Sequence, residues 1–371
     1  MRICLVCSEI FAWGKYGGFG RATRMLGREL VKRGVQVVAV VPRRQGQQAE
    51  ETLDGMRVLS FAPRNLGEAL RCYERAQGEI YHSQEASLGS YLAQRAAPQC
   101  SHVISFRDHK FWRDWLIELT YPSQSRRKTM IAAAYERNPL VRRAILSADR
   151  LLCVSPHLGA PIQSAYRLSA PPEFLGSPIV IPAQVPQKSP KPLVCFVGRL
   201  DRRKRPERFI SLAARFPKVE FVMAGAAQDA RFEAELRAQA SCLGNLTMTG
   251  FLQQFEAPTL TQLLQRSWVL VNTSAREGLP NAMLEALSHR CALLSAVDVS
   301  GVAARFGHHA ADGDFESGLE WLLGDGRWKE RGQRGFEFVS QQFNSDKVLT
   351  RHLAIYEEVL GRRPRAAAIG A

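Results

Sequence analysis

The chain reads as an α/β protein made of two Rossmann-like domains, and three observations predict this. Strand-helix-strand alternation starts twice, at Arg2 and again at Pro192. Between the two starts lies a proline-rich stretch (Pro171, Pro172, Pro178, Pro182, Pro186, Pro190 and Pro192), which cannot hold a central helix or sheet strand throughout. At 371 residues the chain is too long for one ordinary core, while 46% hydrophobic and 23% charged residues describe a globular protein.

Each element follows from its pattern. Arg2 to Cys7 is a short apolar strand. The loop Gly17-Gly18-Phe19-Gly20 is glycine-rich, of the kind that lets backbone approach a phosphate. Ala22, Met25, Leu26 and Leu30 then recur on one helix face, Gly34 closes the helix, and Val35 to Val41 forms the next strand, ending at Pro42. In the second half, Pro192 to Gly198 is a buried strand. A basic loop, Arg199 to Arg205, leads to a helix over Pro206 to Phe216 and a strand from Val219 to Met223 that ends at Gly225. The last pattern, Ser345 to Leu360, is helical, with Val348, Leu349, Leu353, Tyr356 and Leu360 apolar. These elements predict an N-terminal domain over 1–182, a linker over 183–191 and a C-terminal domain over 192–345. The helix over 346–361 is expected to pack back on the first domain, with a disordered tail over 362–371. Two such domains facing each other predict a ligand in the crevice at the carboxyl ends of their strands.

Composition narrows the class. No apolar run approaches the roughly 20 residues that span a bilayer. The first strand is cut short at Ser8-Glu9, unlike a signal peptide, so a cytoplasmic protein is expected. Cys4 and Cys7 are three apart on a strand and face opposite sides, so they cannot share a metal ion. The eight cysteines read as scattered core thiols. The net charge is +15, of which +10 falls before residue 180, notably at Arg126, Arg127, Lys128, Arg137, Arg142, Arg143 and Arg150. This excess fits a solvated basic face, or attraction to anionic lipid or a polyanionic acceptor. No stacking or reader motif accompanies it, which argues against nucleic acid.

The most informative stretch runs from Trp268 to Leu287. An apolar strand ends in the loop Asn272 to Arg276, Glu277 follows, and Gly278-Leu279-Pro280-Asn281 leads into a helix from Ala282 that carries Glu285. A strand that turns through such a loop into a helix leaves backbone N–H groups free for a phosphate. Glu277 stands at the mouth of that seat and Glu285 two turns along. Carboxylates on both sides of a phosphate turn suit a ligand with hydroxyls on both sides of a diphosphate, such as a nucleotide sugar. Arg199 and Lys204, five apart after the Pro192 strand, supply a guanidinium and an ammonium that could neutralise the diphosphate.

With Gly198-Arg199-Leu200 and Lys204, the Glu277–Glu285 spacing, Gly17-Gly18, Ala148-Asp149-Arg150 and Thr249-Gly250-Phe251, the chain resembles the retaining glycosyltransferases of family 4, of GT-B architecture, over about residues 1 to 360. The resemblance implies that Arg199 and Lys204 hold the donor diphosphate and that Glu277 positions the transferred sugar. It implies contacts from the backbone of Gly278, Leu279, Pro280, Asn281 and Ala282 to sugar and phosphate, and from Glu285 to the ribose hydroxyls. Gly17 and Gly18 would admit phosphate and acceptor, and Gly250, Phe251 and Leu252 would meet the base. It implies no metal and no further cofactor, with a UDP- or GDP-linked sugar as co-substrate. It also implies retention through front-face attack, while the basic excess of the first half points to a lipid-linked or cell-surface acceptor, in cell-envelope or surface polysaccharide or glycolipid synthesis. Three departures stand out. Ser105-Phe106-Arg107-Asp108-His109 replaces the family's usual histidine before aspartate, leaving open whether Arg107 or His109 takes its place. Arg290-Cys291-Ala292 replaces Gly-x-Pro, and Ala183-Gln184 replaces Asn-Gly. Two other readings compete: a sugar-nucleotide epimerase or phosphorylase of the same architecture, and a non-catalytic basic module for membrane or polyanion surfaces.

Overall fold

The computed structural model describes residues 1–14, 17–122, 125–252, 255 and 257–362. The tail expected over 362–371 lies outside them except for Arg362, which ends the helix Ser345–Arg362. The chain divides into two compact units: Met1–His109 with Ala132–Pro178 and the residues from Ser345 onward, and Lys110–Ile131 with Ile179–Asn344. The stretch Lys110–Ile131, read from the sequence with the N-terminal domain, therefore clusters with the second unit, to which buried ion pairs described below tie it.

The first unit holds a sheet of eight strands: β1 (Arg2–Val6), β2 (Gln36–Pro42), β3 (Glu50–Leu53), β4 (Met56–Phe61), β5 (Ile80–Ser83), β6 (Ser101–Phe106), β7 (Arg150–Cys153) and β8 (Glu173–Phe174). Their spatial order is β3-β4-β2-β1-β5-β6-β7-β8. All neighbours are parallel except the edge pair β3 and β4. The second unit holds six strands, β9 (Leu193–Val197), β10 (Glu220–Ala224), β11 (Leu246–Gly250), β12 (Val269–Asn272), β13 (Ala292–Ser295) and β14 (Gly307–His309). They are all parallel and lie in the order β11-β10-β9-β12-β13-β14.

In both sheets the chain starts in the middle, works outward to one side and then crosses to the other. The crossing leaves a topological switch point between β1 and β5 in one unit and between β9 and β12 in the other, where loops diverge and ligands bind in open α/β sheets.

Parallel strands covered on both faces explain the continuous apolar runs of the sequence. Cys4 packs with Val6, Val38, Val40 and Tyr73 on one face of the first sheet, whereas Cys7 packs with Ile3, Leu5 and Leu26 on the other. The two thiols thus face apart, as strand geometry requires. All eight cysteines are free thiols. Leu26 and Leu30 bury the inner stripe of the helix Gly18–Lys32 against that second face. Val348, Leu349, Ile355, Tyr356 and Val359 of the C-terminal helix join the same core, which places that helix in the first unit. Each fully buried aliphatic side chain there contributes about 1.5–3 kcal/mol.

Candidate donor site

The expected donor residues gather at the switch point of the second sheet. After β9, Gly198 opens the loop that carries Arg199 to Arg205 into the helix Pro206–Arg215. After β12, Thr273 to Pro280 lead into the helix Asn281–Ser288. Backbone and side-chain bonds lace the two loops together. Ala275 N donates to Arg203 O at 2.9 Å and Thr273 Oγ1 donates to Lys204 O at 2.5 Å. Arg205 donates from Nε to Thr273 O at 2.6 Å and from Nη2 to Ser274 O at 3.1 Å. Asn272 Oδ1 accepts from Ser274 N at 3.0 Å. Such mutual bonding fixes the loops relative to each other without a ligand, so the site is preorganised.

The floor of the site needs close backbone contact. Gly198 N donates to Ala224 O at 3.0 Å, and Gly225 N to Gly250 O at 2.9 Å. Gly225 has φ +157, and a Cβ there would lie 1.8 Å from Gly198 O. Only glycine lets the ends of β9 and β10 approach so closely.

The core of the site is an ion pair. Lys204 Nζ and Ser274 Oγ both donate to Glu277 Oε1, with the Glu277 side chain only 8% exposed. Burial pushes the Glu277 carboxyl up, but the charges of Lys204 and Arg203 and the hydrogen bonds from Lys204 and Ser274 outweigh it, holding the group below its ordinary value. Glu277 is therefore an ionised acceptor at neutral pH and not a proton donor. Arg199 Nη2 lies 3.4 Å from Asp201 Oδ2, and Arg199 is the more exposed of that pair. Asp201 Oδ1 also accepts from Lys204 N at 3.0 Å.

Gly278, Leu279, Pro280, Asn281 and Ala282 form the half-buried turn and first residues of the helix, and Glu285 lies half-buried on it. Gly250 ends β11, with Phe251 and Leu252 half-buried just beyond it.

Four residues that sequence reasoning missed support this core. Glu118, on the helix Trp112–Thr120, is 5% exposed. Arg203 Nη1 donates to Glu118 Oε1 at 3.2 Å. Arg276 Nε lies 2.8 Å from Asp114 Oδ1, and Arg276 Nη1 lies 3.8 Å from Glu118 Oε1. A visible signal existed: Glu118 stands among Trp115, Leu116, Ile117 and Leu119, where a carboxylate needs a partner.

The remaining expected residues belong to the first unit. Gly17 caps the helix Gly18–Lys32, and Glu9 Oε1 accepts from Gly20 N at 3.0 Å. A Cβ on Gly17 would lie 2.4 Å from that same Glu9 oxygen, while one on Gly18 would meet open space. Gly17 thus makes room for a carboxylate of the chain itself at this helix terminus. Arg107 is buried beyond β6, donating from Nη2 to Gln84 Oε1 at 2.6 Å and from Nη1 to Ser177 Oγ at 3.2 Å. Asp108 is half-buried. His109 packs against Phe106 and Tyr166, with ring centroids at 5.9 and 5.5 Å. Among the described residues no three His, Cys, Asp or Glu side chains form a group able to hold a metal ion.

Comparison with known proteins agrees with this architecture. The model of Glycosyltransferase Family 4 matches residues 16–173, and that of Glycosyl transferases group 1 matches residues 180–315. No curated protein sequence matches significantly. Among solved structures, sucrose-phosphate synthase from Thermosynechococcus elongatus aligns with a TM-score of 0.74 at 17% identity, covering 98% of this chain and 100% of that one. Anabaena HepE in complex with UDP-glucose aligns at 0.69 and 14%, over 96% and 100%. The pneumococcal O-GlcNAc transferase GtfA in complex with UDP and GlcNAc aligns at 0.69 and 11%, over 97% and 99%. At such identities these likenesses speak for the fold, and the two family models speak for the activity. The chain belongs to the GT-B glycosyltransferases.

Proposed function

We propose that the protein transfers a hexosyl-type sugar from a nucleoside-diphosphate sugar to a glycan, lipid-linked or small-molecule acceptor, with retention of anomeric configuration. This reading rests on the Lys204–Glu277 pair set beside Arg199 at the β9–β12 switch point, next to the N-terminus of the helix Asn281–Ser288. Arg199, Lys204 and that helix terminus offer three cationic elements for a diphosphate, and the fixed Glu277 carboxylate offers an acceptor for sugar hydroxyls. Glu285 then serves the ribose. HepE in complex with UDP-glucose and GtfA in complex with UDP and GlcNAc support a sugar nucleotide as donor, which we read as UDP- or GDP-linked.

In the step we propose, the bond from anomeric carbon to phosphate oxygen breaks as the acceptor oxygen bonds that carbon on the same face. The acceptor proton passes to the departing phosphate. With the charge carried by side chains and the helix terminus, neither a metal nor a further cofactor is needed. A screen of nucleotide sugars for hydrolysis and transfer, with the product anomer read by NMR and repeated in chelator, tests all of this. An inverted product would overturn retention, loss of turnover in chelator would overturn metal independence, and no turnover of any sugar nucleotide would overturn the whole reading.

The acceptor reading includes work at an anionic membrane surface in the cytoplasm, for cell-envelope or surface glycan synthesis. Among the described residues no helix is long and apolar enough to cross a membrane. Support for peripheral contact comes from the stretch Lys110–Ile131. There Trp112, Leu116, Met130 and Ile131 are each more than half exposed, beside the exposed Arg113, Arg126, Arg127 and Lys128. Apolar side chains flanked by cations suit an interface with anionic headgroups. Cosedimentation with phosphatidylglycerol vesicles should be lost when Arg126, Arg127 and Lys128 are neutralised. Unchanged binding would sink the membrane reading.

A further inference from the structure

The segment Lys110–Ile131 clusters with the second unit although first-unit residues flank it in sequence, and it grips the donor loops at the immediate neighbours of Lys204 and Glu277. Its helix Trp112–Thr120 carries Asp114 and Glu118 four residues apart, hence on one face. Arg203, the residue before Lys204, donates from Nη1 to Glu118 Oε1 at 3.2 Å. Arg276, the residue before Glu277, has its Nε 2.8 Å from Asp114 Oδ1 and its Nη1 3.8 Å from Glu118 Oε1. Arg205, the residue after Lys204, holds its guanidinium over the Tyr121 ring, 5.9 Å from the centroid.

Glu118 is the hub of these contacts. Arg203 comes from the loop after β9 and Arg276 from the loop after β12, so one carboxylate meets a guanidinium from each loop. Glu118, Arg203 and Arg276 are all buried, where salt screens such pairs little and their geometry is stiff. The backbone bond from Ala275 N to Arg203 O already joins the two loops. Glu118 adds a side-chain tie on top of it. The charge of Arg203 also acts on Glu277, after that of Lys204. Glu277 therefore feels two cations, and Glu118 engages the one that does not bond it through Nζ.

We propose that Glu118, with Asp114 beside it, is a positioning residue of the transfer: it engages Arg203 and Arg276 and thereby reserves Glu277 for Lys204 and the sugar. This role rests on the transferase reading above. Glu118 touches neither donor nor acceptor in it, and acts only through the two arginines. Without its charge, Arg203 would turn toward Glu277 and compete with Lys204 for the carboxylate that should meet the sugar hydroxyls.

Glu118→Gln keeps the size of the side chain and removes its charge. With the sugar nucleotide that the screen above finds to turn over fastest, kcat should fall at least about tenfold. The Kd of UDP or GDP, read by calorimetry, should change less than about threefold, because neither carries the sugar and Arg199 and the helix terminus still face the phosphates. Adding Arg203→Gln removes the competing guanidinium and should raise kcat at least about threefold over Glu118→Gln alone. A merely structural role predicts no such rescue. Unchanged kcat in Glu118→Gln, or no gain on adding Arg203→Gln, overturns the inference.

Amide hydrogen exchange needs no turnover and so stands apart from the transferase reading. Amides of residues 199–205 and 273–280 should exchange at least about fivefold faster in Glu118→Gln than in the wild type, with those of β9 and β12 unchanged. Equal exchange in both loops overturns the positioning role even if no sugar nucleotide is a donor. Should Glu118→Gln fail to fold, Asp114→Asn takes its place, since it leaves the Glu118–Arg203 pair intact. Exchange over 273–280 should then rise at least about twofold, and an unaltered rate there overturns the inference.

Discussion

The two sheets solve the same topological problem and arm their switch points differently. In the second unit three cations at the switch point meet carboxylates, Lys204 with Glu277, Arg203 with Glu118, and Arg276 with Asp114 and Glu118, while Arg205 meets the backbone carbonyls of Thr273 and Ser274. In the first unit Arg107 donates to an amide and a hydroxyl, and the Glu85 charge acts on it as well. A site that carries its own counter-ions holds its geometry before the ligand arrives. One fold repeated within a chain can thus fix its switch point by ion pairs in one half and lean on neutral hydrogen bonds in the other.

The rigid half should break hardest. Glu277→Ala removes the acceptor and leaves Lys204 without its partner, and transfer should fall at least about 100-fold in kcat. Full activity in that variant, in a discontinuous transfer assay, would dismiss the role given to Glu277. Next comes Glu118→Ala, which strands Arg203 in a buried setting and leaves Arg276 with Asp114 alone. It should cost about 3 kcal/mol of unfolding free energy in urea, and a loss below about 0.5 kcal/mol would show that these pairs are screened after all.

A smaller effect is expected at Glu285, whose replacement by Ala should weaken donor binding about tenfold by calorimetry, or about 1.4 kcal/mol, with kcat little changed. A collapse in kcat at constant affinity would move Glu285 from ribose binding to chemistry.

The smallest effect concerns the first unit and pH. Burial holds His352 down at about 4 against an ordinary 6.5, so on acidification the unfolded chain takes its proton first. The stability that this neutral ring contributes is complete above 6.5 and drains away as pH falls toward 4. His352→Gln should flatten the stability-pH slope by about 1 kcal/mol between pH 6.5 and 5.5. An unaltered slope would place the acid sensitivity elsewhere.

The same contrast explains what the sequence could tell. Arg199 and Lys204 share one loop, and Glu277 and Glu285 share another, so local spacing already exposes both pairs. The strand and helix patterns likewise expose the alternation that builds both sheets, with ends shifted by a residue or two: the helix expected over Pro206 to Phe216 spans Pro206–Arg215, and the strand expected from Val219 is Glu220–Ala224. What local spacing cannot carry is pairing at a distance. Arg203 and Glu118 are 85 residues apart, and the helix that bears Glu118 precedes the proline-rich stretch, so the sequence alone reads it with the N-terminal domain. The direct bond between Lys204 and Glu277 spans 73 residues and was likewise visible only as two separate motifs. Gln84 and Ser177, the neutral partners of Arg107, carry no pattern at all.

The division of the chain also sets an order of assembly during synthesis. All segments of the second unit have been made once Asn344 is added, because its inserted piece Lys110–Ile131 comes early. The first unit still lacks Val348, Leu349, Ile355, Tyr356 and Val359 at that moment, and with them part of its core. Tyr356 must find His82 across 274 residues. The half that leaves the ribosome first is therefore the half that closes last. Until the final helix docks, its apolar sheet face lies open to chaperones or to aggregation.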